Sequence, residues 1–114
     1  MAGTPARRAE SEAAFRVLNE RLEDRVLARN GSSDTEMLIV CECSREDCTE
    51  RISLSVGEYE LVRSRSRLFI VVSGHADPQI ERIVMRHDSH EIVEKAGEAG
   101  LVADLTATRS RASG

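Results

Sequence analysis

The sequence has no tryptophan, one tyrosine and two phenylalanines in 114 residues. A core built from it must rest mainly on Val, Leu, Ile and Ala, and the aromatic platforms on which single-stranded nucleic acid binders stack bases are missing. No apolar run is longer than five residues, as in Met37–Cys41 and Leu68–Val72, whereas a membrane-spanning helix needs about 20. The start MAGTPARRAESEAA turns polar where a signal peptide turns apolar. A cytoplasmic protein with no membrane contact is expected. Also missing are a glycine-rich phosphate loop, the H-E-x-x-H helix of metallopeptidases and the H-x-E with downstream P-C-x-x-C of zinc deaminases, so the expectation is a chain that is not an enzyme. Positive charge is not in excess either: 16 Lys and Arg face 20 Asp and Glu, a formal net of −4. That is the wrong sign for a long electrostatic footprint on nucleic acid.

What remains fits one small domain. Residues 1–9 read as a disordered lead-in, 10–97 as a single α+β domain and 98–114 as a loosely ordered tail. From Glu10 to Asn30 the residues Phe15, Leu18, Leu22 and Val26 recur at helical spacing, with Ala14 and Leu27 widening the stripe and Asn30-Gly31 as a stop. The spacing predicts a long amphipathic helix that buries this stripe and turns Arg16, Glu20, Arg21, Glu23, Asp24 and Arg25 to water. EMLIVCEC reads as a strand, Arg51–Ser55 as a second, and Ser55 with Glu58 three residues on has the spacing of a capping box that opens a helix to about Arg63. LFIVV is a third strand. A hairpin over residues 81–95 is favoured by β-branched runs on either side of a polar centre, against a helix at 78–87.

The sharpest feature is Cys41-Glu42-Cys43 followed by four residues and Cys48, inside a band, residues 36–60, that holds seven acidic and two basic side chains. Reactive thiols favour basic surroundings. An acidic loop with three cysteines, an odd number that cannot all pair as disulfides, points instead to a divalent cation. Thiolates are ligands for zinc, which takes four donors in a tetrahedron. Three cysteines leave one position. If LFIVV lies beside the strand carrying Cys41, His75 at its end meets the cluster, and Gly74 frees the backbone that aims the imidazole. His87 and His90 compete for the same position. With four protein ligands the site is closed and structural; with three, a metal-bound water would permit hydrolytic chemistry.

The order FRVLNER, CEC-x4-C, EYE-x-VR, a strand into GH, then VEK resembles a widespread group of small, uncharacterised actinobacterial proteins, over about Phe15 to Lys95. The resemblance matches Cys41, Cys43, Cys48 and His75 to that pattern's cysteines and histidine, and Glu58, Tyr59, Glu60, Val62 and Arg63 to its EYE-x-VR segment. It departs at Ser73, where the usual member has proline. The likeness implies His75 as the fourth ligand and implies no activity.

Tyr59 and Arg63 lie four apart and share a helix side. The structural expectation is that Tyr59 hydrogen-bonds across the core and Arg63 pairs with an acid near the metal loop. The functional alternative makes Tyr59, Arg63, Arg65 and Arg67 a phosphate or partner surface. The reading as a whole is an α+β fold: a long N-terminal helix on a small, mainly antiparallel sheet, with a structural Zn2+ held by Cys41, Cys43, Cys48 and His75 at strand ends. It belongs to an interaction or regulatory protein with a protein partner or self-association. The alternatives are a nucleic-acid-binding regulator using Arg63, Arg65 and Arg67, and a small zinc hydrolase with Glu42 or Glu46 as its acid or base.

Overall fold

A computed structural model describes residues 5–45 and 47–107, with side chains from Ser11 onward. Of the expected lead-in and tail, residues 1–4 and 108–114 therefore lie outside the described residues, as does Glu46. The chain runs through α1 (Pro5–Ala28), β1 (Glu36–Val40), β2 (Arg51–Ser55), α2 (Val56–Arg63), β3 (Leu68–Val72), β4 (Glu81–Arg86), β5 (His90–Lys95) and α3 (Gly97–Leu105). β1 and β2 pair antiparallel with Ile39 opposite Ile52, and a second antiparallel sheet has the order β3-β5-β4. This is the expected α+β arrangement of a long helix with small antiparallel sheets.

Local chemistry accounts for most boundaries. The Ser55 hydroxyl accepts the Glu58 N–H at 3.1 Å and the Glu58 carboxylate accepts the Ser55 N–H at 2.8 Å, so the capping box forms and α2 starts where it should. α1 begins at Pro5, a residue suited to the first helical turn, and thus takes in residues 5–9 of the expected lead-in. It ends as Asn30 turns to φ 68 and the Gly31 N–H reaches the Val26 carbonyl at 3.0 Å. The hairpin forms and the alternative helix at 78–87 does not, since Ile83 and Met85 pair across from Val93 and Ile92 with a bulge between them. α3 occupies ground expected to be loose tail; its small residues Ala99 and Ala103 let it pack closely and are both buried.

The face α1 buries is rotated from the predicted one: Arg21, Asp24 and Arg25 are exposed as expected, but Arg16, Glu20 and Glu23 are not. Glu12, Ala13, Arg16, Asn19, Glu20 and Glu23 are buried, whereas Leu18 and Leu27 are each 42% exposed. Of the predicted stripe, Leu22 and Val26 are partly buried and pack against the core. The buried set still has helical spacing, but it is polar, and what holds it is hydrogen bonding. Arg16 donates to the Ala103 carbonyl at 2.9 Å and to the Thr106 hydroxyl at 3.2 Å. The Asn19 amide clasps Val40, donating to its carbonyl at 2.8 Å and accepting its N–H at 2.9 Å, as a neighbouring strand would. Fully buried Lys95 from the end of β5 is paired with both Glu12 and Glu81.

These charges close around one ring. Phe69, at the centre of β3 and fully buried, has the Arg16 guanidinium 4.6 Å, the Lys95 ammonium 4.7 Å and the Arg63 guanidinium 5.3 Å from its centroid. The negative ring face attracts each cation, and the carboxylates supply the countercharge without which buried cations would be very costly. Desolvation raises the Glu12 carboxyl to about 7 against the pull of Lys95, and burial lowers the Lys95 ammonium. Lys95→Met leaves two carboxylates buried without a cation, and we expect it to cost about 3–5 kcal/mol of unfolding free energy. Adding Glu12→Gln and Glu81→Gln restores most of the loss. Urea denaturation of the metal-loaded protein measures both.

Candidate metal centre

The centre lies where β1 runs out beside β3. Beyond Val40 the chain stays extended: the Cys41 N–H donates to the Glu50 carbonyl at 2.9 Å and the Glu42 N–H to the Ile70 carbonyl at 2.9 Å. Successive side chains of an extended segment point to opposite sides. Cys41 and Cys43 therefore share one side and Glu42 takes the other, before the chain bends at Cys43 and Ser44. A turn in which the Cys48 N–H donates to the Arg45 carbonyl at 3.1 Å brings back the third thiol. From the other strand, the turn after β3 places Gly74 at φ 89 and sends the His75 N–H to the Val72 carbonyl at 2.9 Å. That φ is open to glycine at little cost. The Val72 N–H donates to the Cys41 sulfur at 3.1 Å and binds the two strand ends together.

The ligand atoms of Cys41, Cys43, Cys48 and His75 all lie within 4.8 Å of one another. His75 Nδ1 is 3.6 Å from both the Cys41 and the Cys48 sulfur. In a zinc tetrahedron with bonds of about 2.3 Å to sulfur and about 2.0–2.1 Å to nitrogen, the sulfur-to-nitrogen edge is about 3.6 Å. The donor set and its spacing fit Zn2+. His87 and His90 are not part of the group; their rings stack at 4.6 Å in the β4–β5 hairpin.

The thiols are linked to one another through a hydrogen bond. The Cys43 thiol is drawn down to about 5, chiefly by a hydrogen bond from Cys41, against desolvation. Cys41, the donor, is pushed far up by that same bond and by burial, and burial raises Cys48. Cys41 and Cys43 are buried, while Cys48 and His75 are half-buried, so the cluster opens to water on one side.

Glu42 is the residue that the sequence reading misplaced. Instead of facing the thiols, where it was a candidate acid or base, its fully buried carboxylate points into the core. It accepts the Asn19 amide at 2.8 Å, the Ile70 N–H at 3.0 Å and the Tyr59 hydroxyl at 3.4 Å, and lies 3.7 Å from the Arg63 guanidinium. The alternation of side chains along an extended C-x-C is the sequence signal that fixes this direction.

A recognition surface containing Tyr59 and Arg63 is therefore corrected. Tyr59 is fully buried and Arg63 nearly so, with Arg63 donating to the Leu68 carbonyl as well as facing Glu42. Both perform the structural roles that were the first expectation for them, Tyr59 hydrogen-bonding across the core and Arg63 pairing with an acid beside the metal loop. Arg65 and Arg67 do reach the surface, where Glu94 lies 3.3 Å from the first and Asp104 3.0 Å from the second.

Two substitutions separate ligand from support. His75→Ala should weaken zinc binding by about 100-fold or more, beyond what losing an outer-shell partner costs, whereas His87→Ala and His90→Ala leave it unchanged. X-ray absorption should lose its imidazole contribution only in the first. Glu42→Gln should keep one zinc per chain while lowering stability by about 3 kcal/mol, because Arg63 loses its countercharge. Comparison with family models, with curated proteins and with solved structures finds none that matches this chain, and the cluster is read from its own geometry.

Proposed function

We propose that this chain is a non-enzymatic interaction or regulatory module whose zinc ion is a structural clasp. One observation carries the reading: the residue between two of the ligands, Glu42, holds α1, α2 and β3 through a single carboxylate. Fixing Cys41 and Cys43 fixes Glu42, and with it the docking of three elements. Four protein donors fill a tetrahedron and leave no position for a substrate or an activated water, which supports a structural over a hydrolytic ion. The likeness to small actinobacterial proteins with the same cysteine and histidine pattern belongs to this proposal and adds no activity to it.

Energetics support the same assignment. Native domains are marginally stable, by about 5–15 kcal/mol in all, and this one has three aromatic residues to build its core from. A structural zinc ion contributes about 10–16 kcal/mol of binding free energy in small modules. The arginines of the nucleic-acid alternative are poorly placed for phosphate: Arg63 is buried, and Arg65 and Arg67 each lie against an acid. Among the described residues no helix is long and apolar enough to cross a membrane.

Chelation under reducing conditions tests the clasp. Amide exchange across residues 37–75 should lose its protection in one step with the tertiary circular dichroism, and both should return on adding one equivalent of Zn2+. A metal-free chain that keeps native protection there sinks the structural role and favours a sensing or catalytic ion.

A further inference from the structure

A second feature lies on the opposite face of the β3-β5-β4 sheet from α1. Phe69 and Val93 face the helix. On the alternate side, Leu68, Glu94 and Arg82 form one row across the sheet, and Ile70, Ile92 and Met85 the next. α2 covers only part of this side. Between α2 and β4 runs an open groove of about 600 Å³. Its apolar lining includes Val62, Leu68 and Ile92 in the floor, with Leu61, Val84 and Met85 at its edges. Leu61 is 75% exposed and Met85 51%. Clustering of large, water-exposed apolar side chains along one groove marks an interaction site.

The ends of the groove differ in charge. From the Glu94 row to the His90 row is roughly 14 Å at the usual strand rise. At the first end Arg65 and Arg82 share the single carboxylate of Glu94, with contacts of 3.3 and 2.7 Å, leaving one positive charge in surplus. At the other lie Glu58 and the stacked His87 and His90. α2 runs along the same axis, with Glu58 in its first turn and Leu61 between the two charged ends.

We propose that this groove is a self-association surface that takes a second copy of the chain about a two-fold axis near Leu61. A two-fold interface brings one patch against itself with its direction reversed. Reversal sets the surplus positive end of each groove against Glu58 of the other copy, and it runs the two α2 helices antiparallel. Leu61 of each copy then enters the groove between α2 and Met85 of the other. A small ligand lying in the groove would leave Leu61, which stands on its rim, in water. A second copy covers it. A patch of this extent belongs at the weak, reversible end of protein interfaces.

Sedimentation equilibrium of the full, zinc-loaded, reduced chain between about 1 µM and about 1 mM tests this. The mean mass should rise from 12.6 kDa towards twice that value. Leu61→Glu and Met85→Glu should each raise the dissociation constant by about tenfold or more, as centrally placed apolar contacts do. Arg65→Glu should raise it less. Leu101→Glu, on an exposed part of α3 away from the groove, should leave it unchanged. Because all four side chains are exposed, zinc content and circular dichroism should stay as in the parent, which keeps a folding failure apart from lost association. A chain that stays monomeric throughout, or a dimer indifferent to Leu61→Glu and Met85→Glu, overturns the proposal. So does one abolished by Leu101→Glu. The result is independent of whether zinc is a clasp or a sensor.

Discussion

The structure depends on a carboxylate with no water around it. Glu42 has no exposed surface, and a bare carboxylate in that position would be costly to bury. It is tolerated because an amide from α1, a hydroxyl and a guanidinium from α2 and a backbone N–H from β3 all converge on it. Each partner is itself held elsewhere: Asn19 on Val40, Tyr59 near the Arg16 carbonyl and Arg63 on Leu68. The elements are thus located by directional bonds to one point as well as by apolar contact. Such bonds are more exacting than hydrophobic burial, since a displaced donor leaves the charge unsatisfied.

Around this point the core has two characters. Between β1, β2, α2 and β3 it is an ordinary aliphatic interior of Met37, Ile39, Leu54, Val56 and Ile70. Between β3 and α1 it is ionic, with three cations about the Phe69 ring and carboxylates outside them. A chain with few aromatic residues uses one ring to seat three cations. The metal cluster sits at the seam of the two regions, bonded to β3 through the Cys41 sulfur and, one residue later, to the ionic side through Glu42.

How much of this was legible follows the range of the forces involved. Ser55 and Glu58 cap their own helix, so α2 could be placed from four residues. The β-branched LFIVV run and the polar four-residue centre at 86–89 gave β3 and the hairpin for the same reason. The metal ligands were legible because thiols clustered among acids have few other uses, and His75 because a glycine precedes it at a strand end. The buried face of α1 was not legible. Counting apolar residues selects Leu18 and Leu27, yet burial is decided by partners such as Lys95, Glu81 and Ala103, which lie far along the chain from Glu12 and Arg16. Nothing within the helix distinguishes an arginine that will meet a distant carbonyl from one that will meet water.

The polar docking face of α1 sets an order of events during synthesis. α1 leaves the ribosome before the strands it docks on, and at about 5–20 residues per second its central anchors, Val40 and Glu42, follow within a few seconds. Lys95 and the Ala103 carbonyl, which secure its N-terminal half, are made later. Until β5 delivers its lysine, the glutamates and arginine of that face are hydrated. The ion pairs that look extravagant in the finished fold are harmless in the nascent one.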